Sequence, residues 1–555
     1  MGKIKNLIGR LGLKIVKLTG HDDPDVLHRY RHYEDIIKGE KESIARLESS
    51  VDYYKSILQA RSLNRNIVFV SHDANPGGAQ MLSINIIRQL TEVFKFNVHV
   101  IVKAWGGLLD DYSKYAKSII CIETDIKDDA DFKKWVSQTE AKIAMCNTTV
   151  TGDILKNLAD AGFTCISMIH EMKNTIRELE CENELKSIIN HAQNVVFPSK
   201  YVSDSISEII PIPENKAIIL PQGIYKKEVA VKSSKECRSE IINRFNLPKD
   251  CSIVLNVGFV DHRKGVDLFA KCATHVCSEL TNCIFLWVGA SMGGTVESAL
   301  EIVKGTAAEG KVVFAGLCDE MYPFYLACDM FLLTSREDPF PSVVMEAMSY
   351  SKPVVAFDGG GGYVELVSHE ETGFLAQMEN VEQMSSYVTK LLQDNDLRVN
   401  LGKQGQGRVK DISHFNSYVG KLLSLLGEKY EPVSAIITDC NCAHSLKESI
   451  DSVLAQTYPV NEVVILYDAS ANDSLSILKS YEKRYPLRIK AAVNEKNSEI
   501  VLSQRERVLK EATSRYIWIA EADDRKDPMF LQSLMETMVA GDEIGECRLF
   551  VPKDY

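Results

Sequence analysis

The segment from Phe331 to Leu366 places acidic side chains around the start of one helix. Its sequence is FLLTSREDPFPSVVMEAMSYSKPVVAFDGGGGYVEL, in which seven residues separate Asp338 from Glu346. The loop PFPSVV predicts a helix that begins near Ser342, and the free N–H groups and dipole of such a start bind a diphosphate without a metal. A solvated helix end is the plainer interpretation of an acid pair, but SREDPF, EAM and the glycine run around it favour a binding site.

Further groups that could do chemistry follow predicted strands elsewhere. GFVDHRKGVDLF brings Arg263 and Lys264 into a loop after a strand, and TCISMIH ends on His170. Gly77 and Gly78 follow the first strand, where glycine allows the backbone to approach a ligand closely. A lone lysine is more often a surface charge and a strand-end histidine an ordinary polar cap, so these candidates depend on their context.

Strand, glycine turn and helix alternate from Asn66 onward. Because this alternation is typical of βαβ units, it predicts an α/β fold with parallel sheets and a ligand cleft at their carboxyl ends. The first run of strands is NIVFVSH, NVHVIV, KIAMCN, TCISMIH, NVVFPS and AIILPQG, and the second is SIVLNVGF, CIFLWVGA, KVVFAG, MFLLTS and PVVAFDGG. We therefore expect two Rossmann-like domains, at 64–225 and 226–430, the second ending in a closing helix over about 406–427.

A third α/β unit is expected at 431–555, after the linker Glu431-Pro432. It contains the strands VSAIITDCN, EVVILYDAS and YIWIAEADD and the helix SLKESIDSVLAQ. A helix, MFLQSLMETMV, and a short strand, CRLFVP, follow them.

Two helical patterns precede the first sheet. Residues 1–20 carry five Lys or Arg before position 18 and apolar residues at helical spacing, which favours a basic amphipathic helix on an anionic membrane surface over a helix docked on its own protein. A helical segment is expected over residues 21–63, in which apolar residues recur seven apart. This period is typical of a coiled coil that could join copies of the chain, and a helix packed on the next domain is the alternative.

Composition excludes several classes of protein. The 555 residues carry a net charge of −12, which argues against a nucleic-acid-binding protein, since phosphate contacts require a basic surface. No apolar run approaches the roughly 18 residues of a membrane-spanning helix. The 14 cysteines show no zinc-ligand spacing, which favours reduced thiols in a cytosolic protein.

Residues 66 to 425 resemble the family 4 retaining glycosyltransferases, which have the two-domain GT-B fold. The family pattern places an acidic residue seven residues before a glutamate, and Asp338 and Glu346 match it, although most members have Glu at the first position. Glu337 lies one step out of register, so either acid could face the sugar. The resemblance implies catalytic roles for Asp338, Glu346 and His170, with Glu346 holding the ribose and His170 contacting the donor sugar.

The same resemblance implies a donor site at which the nucleotide sugar is bound without a metal or other cofactor. Its residues would be Gly77, Gly78, Arg263, Lys264, Ser342, Val343 and Glu365. Lys264 would neutralise the diphosphate as the nucleotide leaves. Phe259 stands where the family usually has Arg, and Arg263 is a candidate substitute. The first domain would then lie on the acceptor side and the second on the nucleotide-sugar side.

Residues 433 to 524 resemble the nucleotide-binding half of family 2 inverting glycosyltransferases, which have the GT-A fold. By this resemblance Asp468 reads the base, Arg505 faces the donor phosphates, and Asp523 and Asp524 hold Mn²⁺ or Mg²⁺. Only 31 residues follow Asp524, fewer than the acceptor half of a complete member needs. The unit is therefore expected to be either a truncated enzyme or a degenerate binding module, and truncation is favoured.

Together these features predict a glycosyltransferase of bacterial O-antigen or capsule biosynthesis. It would move a sugar from a nucleotide sugar to a lipid-linked or growing polysaccharide, in the cytoplasm at the inner membrane surface. The alternative is a non-catalytic nucleotide-sugar-binding scaffold that recruits partners through its coiled coil. The sequence leaves the donor sugar and the linkage open, because pocket shape decides both.

Overall fold

The computed structural model describes residues 65–225, 230, 232–291, 293–410, 412, 414–428, 430–439, 443–468, 474–494, 511–521 and 526–539. The expected amphipathic helix at 1–20 and coiled coil at 21–63 lie outside these residues. Within the described part of the chain, no helix is long and apolar enough to cross a membrane.

The first sheet has seven parallel strands in the order β3-β2-β1-β4-β5-β6-β7. Strand β1, third in this order, is buried from Asn66 to Ser71: Ile67 and Phe69 enter the core on one face, Val68 and Val70 the core on the other. This two-residue alternation with both faces apolar is what a parallel sheet covered by helices on both sides requires. The strands are β1 Asn66–Asp73, β2 Asn97–Ala104, β3 Ser118–Cys121, β4 Ile143–Asn147, β5 Thr164–Met168, β6 Asn194–Phe197 and β7 Ala217–Ile219.

Eight helices connect these strands and cover the two faces of the sheet. They are α1 Gly78–Glu92, α2 Leu109–Ser113, α3 Ile122–Asp125, α4 Asp129–Gln138, α5 Gly152–Asp160, α6 Lys173–Glu178, α7 Glu182–His191 and α8 Lys200–Ser207. A single 3-10 turn, Thr149–Thr151, joins β4 to α5. Of the seven strands, only β3 was missing from the expected pattern, because its four residues SIIC are too short to stand out.

The second sheet has six parallel strands in the order β10-β9-β8-β11-β12-β13. Its strands are β8 Ser252–Val257, β9 Cys283–Val288, β10 Val312–Phe314, β11 Met330–Leu333, β12 Val354–Phe357 and β13 Gly373–Ala376. The helices around it are α9 Ser234–Arg244, α10 Val266–Glu279, α11 Thr295–Val303, α12 Tyr322–Ala327, α13 Ser342–Ser349, α14 Val381–Gln393 and α15 Asn395–Lys410. Five of these strands were expected, and β13 extends the sheet by one.

The closing helix α16, Phe415–Leu425, returns to the first sheet. Its apolar face, including Tyr418 and Leu422, belongs to the same core as β1. The Tyr418 hydroxyl lies 3.6 Å from the sulfur of Met168 at the end of β5. Arg65 and Glu428 add an ion pair at 2.7 Å beside this helix. The second sheet is thus tied to the first both by the chain entering it and by the chain leaving it.

The third sheet has four parallel strands in the order β16-β15-β14-β17. They are β14 Val433–Asp439, β15 Glu462–Asp468, β16 Ile489–Asn494 and β17 Tyr516–Glu521, with helices α17 Ala443–Leu454 and α18 Ser474–Arg484. The closing helix contacts this sheet through Asn416, whose amide donates to the carbonyl oxygens of Asn461 at 2.6 Å and Leu487 at 3.4 Å. Strand β16 was not expected, and the expected strand CRLFVP lies outside the described residues.

Among the described residues, a smaller compact unit contains Ala455–Tyr458 and residues 526–539. Within it, Thr457 donates its backbone N–H to the carbonyl of Pro528 at 2.8 Å, and Gln456 donates to that of Asp527 at 2.7 Å. Helix α19, Phe530–Val539, matches the expected helix MFLQSLMETMV.

Candidate active site

The carboxyl ends of the first two sheets meet through hydrogen bonds made by Glu337. Asn174 Nδ2 donates to one carboxylate oxygen of Glu337 at 2.7 Å, and Thr175 Oγ1 donates to the other at 2.9 Å. Both donors lie at the start of α6, which follows β5, and Glu337 lies in the loop after β11. These contacts place the two strand-end edges opposite each other, as the βαβ pattern predicts for a ligand cleft.

Lys264 and Asp338 form a buried ion pair in the second sheet. The Lys264 ammonium contacts Asp338 Oδ2, and both side chains are largely shielded from solvent, with 15% and 7% exposed. Ser335 Oγ donates to the same carboxylate oxygen at 3.3 Å. The turn before α10 requires glycine, because Gly265 has φ of +74° and an added Cβ would lie 2.0 Å from the Thr334 carbonyl oxygen. That close approach holds Lys264 against the end of β11.

The geometry distinguishes Asp338 from Glu337, either of which could face the sugar according to the sequence. Asp338 is 5% exposed and faces Lys264 within the second sheet. Glu337 points the other way and binds α6 of the first sheet. Arg263 donates to the backbone carbonyl of Glu337 at 2.8 Å, so its guanidinium supports this loop. Asp338 is therefore the carboxylate placed beside the candidate phosphate-binding lysine.

Helix α13 begins at Ser342 and Val343, as the sequence predicts. Its N-cap residue is Pro341, and no side chain caps the helix. Backbone N–H groups at such a start favour an anion. One turn later, Glu346 is 9% exposed and accepts a hydrogen bond from the Tyr325 hydroxyl at 2.8 Å. Burial together with the Glu346 carboxylate raises the pKa of Tyr325 well above its usual range, which keeps Tyr325 a hydrogen-bond donor.

Across the cleft, His170 and Glu171 follow β5. The Nε2 atom of His170 is buried and has no hydrogen-bond partner among the described residues, although the residue as a whole is partly exposed. Burial lowers the pKa of His170 to about 4, so the imidazole is neutral near pH 7. The Glu171 carboxylate accepts hydrogen bonds from the N–H and hydroxyl of Thr149, both at 3.1 Å, and from the N–H of His170 at 3.1 Å. Burial raises the pKa of Glu171, and these hydrogen bonds oppose that shift.

The glycine loop after β1 adds a second polar group on this edge. Gly77 is the N-cap of α1, and an added Cβ would lie 2.4 Å from Oε1 of Gln80, whereas Gly78 has open space around it. Gln80 Nε2 donates to Asp73 at 2.6 Å and lies 2.8 Å from Nε2 of His72. Burial lowers the pKa of His72.

Thr148, beside His72, has a backbone conformation that β-branched residues rarely adopt. Its φ is +78°, and its hydroxyl lies 3.2 Å from Nδ1 of His72. Strain of this kind persists only where the surrounding structure enforces it, and it is concentrated at functional sites. The hydrogen bonds of neighbouring Thr149 to Glu171 supply that enforcement.

Glu365 lies at a second contact between the two edges. Its carboxylate accepts a hydrogen bond at 2.7 Å from the N–H of Tyr201, in the first turn of α8. The Tyr201 hydroxyl also donates to the carbonyl of Gly359 after β12. The structure thus brings Glu365 to the cleft wall and engages it with the first sheet.

The site residues expected in the third sheet are only partly described. Asp468 ends β15, and its side chain is not described; Arg505, Asp523 and Asp524 lie outside the described residues. Strand β17 ends at Glu521, next to the residues expected to bind metal, and pairs with Thr438 of β14. Among the described residues, no group of three or more His, Cys, Asp or Glu is placed to hold a metal ion.

Sequence reasoning missed several residues that the fold brings into the cleft. They are His72, Asp73, Gln80, Thr148, Glu171 and Tyr325. Glu171 adjoins His170 and could have been found as the next polar residue after the same strand. The contact of His72 with Thr148 joins positions 76 apart, and no local pattern indicates it.

Comparison with known families agrees with this architecture. Residues 238–408 match the model of glycosyl transferases group 1, and residues 434–551 match that of glycosyl transferase family 2. The chain therefore carries a group 1 glycosyltransferase domain of GT-B fold followed by a family 2 glycosyltransferase domain, which confirms both resemblances.

Curated relatives are bacterial and archaeal glycosyltransferases, and the chain spans about half the length of those it matches, from 43% to 59% for three of them. The lipopolysaccharide core biosynthesis glycosyltransferase LpsE of Rhizobium meliloti is 23% identical over 209 residues, 37% of this chain and 59% of that protein. The N,N'-diacetylbacillosaminyl-diphospho-undecaprenol alpha-1,3-N-acetylgalactosaminyltransferase of Campylobacter jejuni is 28% identical over 230 residues, 40% of this chain and 59% of its own.

Solved structures share the fold of the paired sheets. Anabaena HepE, crystallised with UDP and glucose, aligns with a TM-score of 0.56 at 18% identity and covers 64% of this chain and 99% of HepE. A sucrose-phosphate synthase from Thermosynechococcus elongatus aligns with a TM-score of 0.54 at 20% identity, over 65% of this chain and 98% of its own.

Proposed function

We propose that the paired sheets transfer a sugar from a nucleotide sugar to a glycan acceptor, with retention at the anomeric carbon. The observation that carries this proposal is the Lys264–Asp338 ion pair, which lies close to the start of α13. Glu337, the residue before Asp338, binds the edge of the first sheet on which His170 lies. A cation and free N–H groups on one side suit a diphosphate leaving group, and the neutral His170 on the other side suits a sugar hydroxyl.

The donor would be bound chiefly by the second sheet. The N–H groups of Ser342 and Val343 face a diphosphate, and Lys264 neutralises the negative charge that grows on the leaving nucleotide as the glycosidic C–O bond breaks. Glu346 accepts hydrogen bonds from the ribose hydroxyls, held in place by Tyr325. Asp338 contacts the transferring sugar and fixes the Lys264 ammonium.

The transfer itself requires no protein nucleophile. As the nucleotide leaves, the acceptor hydroxyl attacks the anomeric carbon from the same side, and its proton passes to the departing phosphate oxygen. His170 is neutral near pH 7, so it serves as a hydrogen-bond partner for a sugar hydroxyl and not as a cation beside the forming oxocarbenium ion. Glu171 fixes the backbone N–H of His170 and thereby the approach of that side chain.

The names of the relatives support surface polysaccharide assembly as the context. One acts in lipopolysaccharide core biosynthesis and another on an undecaprenol-linked sugar, so we propose a lipid-linked or growing glycan as the acceptor here. A peripheral position at the inner membrane through residues 1–20, and self-association through residues 21–63, belong to the same proposal.

The third sheet is proposed as a nucleotide-binding module. Parallel pairing puts the ends of β14, β15 and β17 at one edge, so Asp468 and Glu521 end their strands at the same end of the sheet. Carboxylate oxygens are ligands that Mn²⁺ and Mg²⁺ accept, and Asp523 and Asp524 would hold the ion, with Arg505 near the phosphates. That ion would neutralise a bound diphosphate.

The proposal is tested by the stereochemistry of the product. The full chain is incubated with a panel of nucleotide sugars and a lipid-linked acceptor extract, and the new linkage is assigned by proton NMR. An α-linked product from an α-linked donor is the expected result. Donor binding without any transfer across the panel would contradict it and favour the scaffold function, and an inverted product would place the reaction in the third sheet.

A further inference from the structure

Trp105 is an exposed aromatic residue at the acceptor edge of the first sheet. It directly follows Ala104, the last residue of β2, which pairs with Asp73 at the end of β1. Its exposed fraction is 37%, and in the fully described stretch 65–178 no other large apolar side chain is exposed. An exposed ring at the carboxyl end of a strand in this cleft is a candidate for ligand contact.

The ring is fixed in place by the residues around it. The indole N–H donates to Thr124 Oγ1 at 2.9 Å, and that hydroxyl donates to Asp125 at 3.0 Å. Asp125 in turn accepts the backbone N–H of Cys121 at 2.9 Å. Because the indole N–H is already bonded, a ligand at Trp105 would contact the apolar carbon atoms of its ring.

The loop that carries Trp105 is packed against the glycine loop. Ala74 donates its N–H to the Ala104 carbonyl at 3.2 Å and accepts the N–H of Leu108 at 2.8 Å. A Cβ on Gly106 would lie 2.4 Å from the Ala74 backbone, so only glycine permits this approach. The ring therefore has a set position relative to Asp73 and the residues that follow it.

Polar groups continue from Trp105 towards His170 along the sheet edge. Lys103 donates to Asp153 at 3.0 Å. Burial lowers the pKa of His72; the nearby Asp73 carboxylate opposes this shift, and Lys103 adds to it more weakly. The strand order β2-β1-β4-β5 separates Trp105 from His170 by three strand spacings, about 14 Å. That distance exceeds a single sugar ring, so a group on Trp105 would be remote from the reacting hydroxyl.

We propose that Trp105 is a sugar-binding platform that stacks on an acceptor residue remote from the accepting hydroxyl, so that the acceptor is an oligosaccharide and not a monosaccharide. This rests on the proposed glycosyltransferase function. A pyranose ring has an apolar C–H face and a rim of hydroxyls, which matches one fixed aromatic face bordered by polar side chains. A membrane surface would need a contiguous apolar patch, and no other large apolar side chain in residues 65–125 is exposed. Binding energy from a remote residue can support the reacting centre.

Tryptophan fluorescence of the full chain tests the platform directly. The chain has four tryptophans, of which Trp287 and Trp518 are fully buried and Trp135 packs edge-on against His99. Acrylamide quenching is measured while maltose, maltotriose, chitobiose or chitotriose is added. We expect the sugars of at least one pair, maltose with maltotriose or chitobiose with chitotriose, to reduce quenching of the tryptophan emission by acrylamide. The trisaccharide should reduce it more than the disaccharide. The protection should persist in Trp135→Phe and disappear in Trp105→Phe.

Affinity provides the second measurement. In Trp105→Ala, binding of the protective trisaccharide should weaken about tenfold, the scale of one aromatic contact. Equal protection in Trp105→Phe, protection by phosphatidylglycerol vesicles that matches that of the sugars, or no protection by any of the four sugars would overturn the platform. If the sugars protect but nucleotide-sugar turnover is absent, the proposed transfer fails and the platform stands.

Discussion

The two edges of the cleft differ in how they hold their ionisable groups. On the second sheet, Lys264 and Asp338 form an ion pair, and the same loop carries Arg336, which binds Asp267 at 2.8 Å. On the first sheet, burial lowers the pKa of His170 to about 4 and raises that of Glu171, so both are shifted towards their neutral forms. The ion pair on one wall thus faces His170 and Glu171 on the other, which are shifted towards neutral. On that same wall, hydrogen bonds from Asn75 and Gln80 outweigh burial and lower the pKa of Asp73.

This contrast fits the two halves of a transfer reaction. A leaving diphosphate gains negative charge, which a preorganised cation stabilises. A sugar hydroxyl carries no charge and is oriented best by neutral donors and acceptors, whose hydrogen bonds distinguish one hydroxyl from another. The difference between the walls therefore assigns donor chemistry to the second sheet and acceptor recognition to the first, and the following experiments test that assignment.

The largest effect is expected for Lys264→Ala. Removing the cation proposed to neutralise the leaving group should lower kcat about 10²- to 10³-fold, as loss of a transition-state contact does. Steady-state kinetics with saturating acceptor measure it. Lys271→Ala is the matched control, since Lys271 pairs with Asp267 on the outer surface of α10 and should leave kcat unchanged. An equal loss of kcat in both variants would contradict the proposal that Lys264 stabilises the leaving group.

The adjacent acids should differ in their effects. Asp338→Asn leaves the buried Lys264 without a charged partner and should lower kcat/KM about 10²-fold. Glu337→Gln keeps one acceptor for Asn174 or Thr175, so a loss of about two- to tenfold is expected, the scale of one hydrogen bond. The measurement is kcat/KM for the donor. A larger loss in Glu337→Gln would show that Glu337 is the acid that contacts the sugar.

A smaller effect concerns the attachment of the third sheet. Asn416→Ala removes the donors to Asn461 and Leu487 and leaves two carbonyl oxygens unpaired, which should cost about 1–3 kcal/mol in the free energy of unfolding. Chemical denaturation followed by circular dichroism measures it. Ser417→Ala is the control, since its single contact to Asn461 is 3.3 Å long. Unchanged stability in Asn416→Ala would mean that this contact does not hold the third sheet.

The smallest effect is expected from pH. The folded pKa of His170 lies at about 4, below the usual 6.5, so its contribution to stability is fully present above pH 6.5 and is lost as pH falls towards 4. The kcat profile should accordingly show no inflection from His170 between about pH 5 and 8. Comparison of wild type with His170→Gln checks this. An inflection near pH 6.5 that disappears in the variant would show that His170 titrates in the neutral range.

The sequence predicted the main residues of the donor side better than the contacts that orient them. Lys264, Asp338 and Glu346 lie in compact motifs, and Ser342 begins its helix as the PFPSVV segment indicates. The sequence could not show which acid faces Lys264, because the orientation of the loop after β11 depends on its packing against the loop after β12. At Gly361 in that second loop, an added Cβ would lie 1.7 Å from the Asp338 carbonyl oxygen.

The acceptor wall was harder to predict because its contacts join distant positions. His72, Thr148 and Glu171 lie at the ends of three different strands, and only the strand order β1-β4-β5 brings them together. The short strands β3 and β13 escaped notice for a related reason, since four residues give too little periodicity to count. His170 was found through its motif, while the burial that keeps it neutral depends on packing.

The most direct measurement of the central assignment is sugar transfer by the full chain in excess EDTA, followed by mass spectrometry, for wild type and Glu346→Ala. If the paired sheets carry the reaction, transfer persists in EDTA because Lys264 and the start of α13 replace a metal, and Glu346→Ala abolishes it. Transfer that requires added Mn²⁺ and is unaffected by Glu346→Ala would contradict the account and place the chemistry in the third sheet.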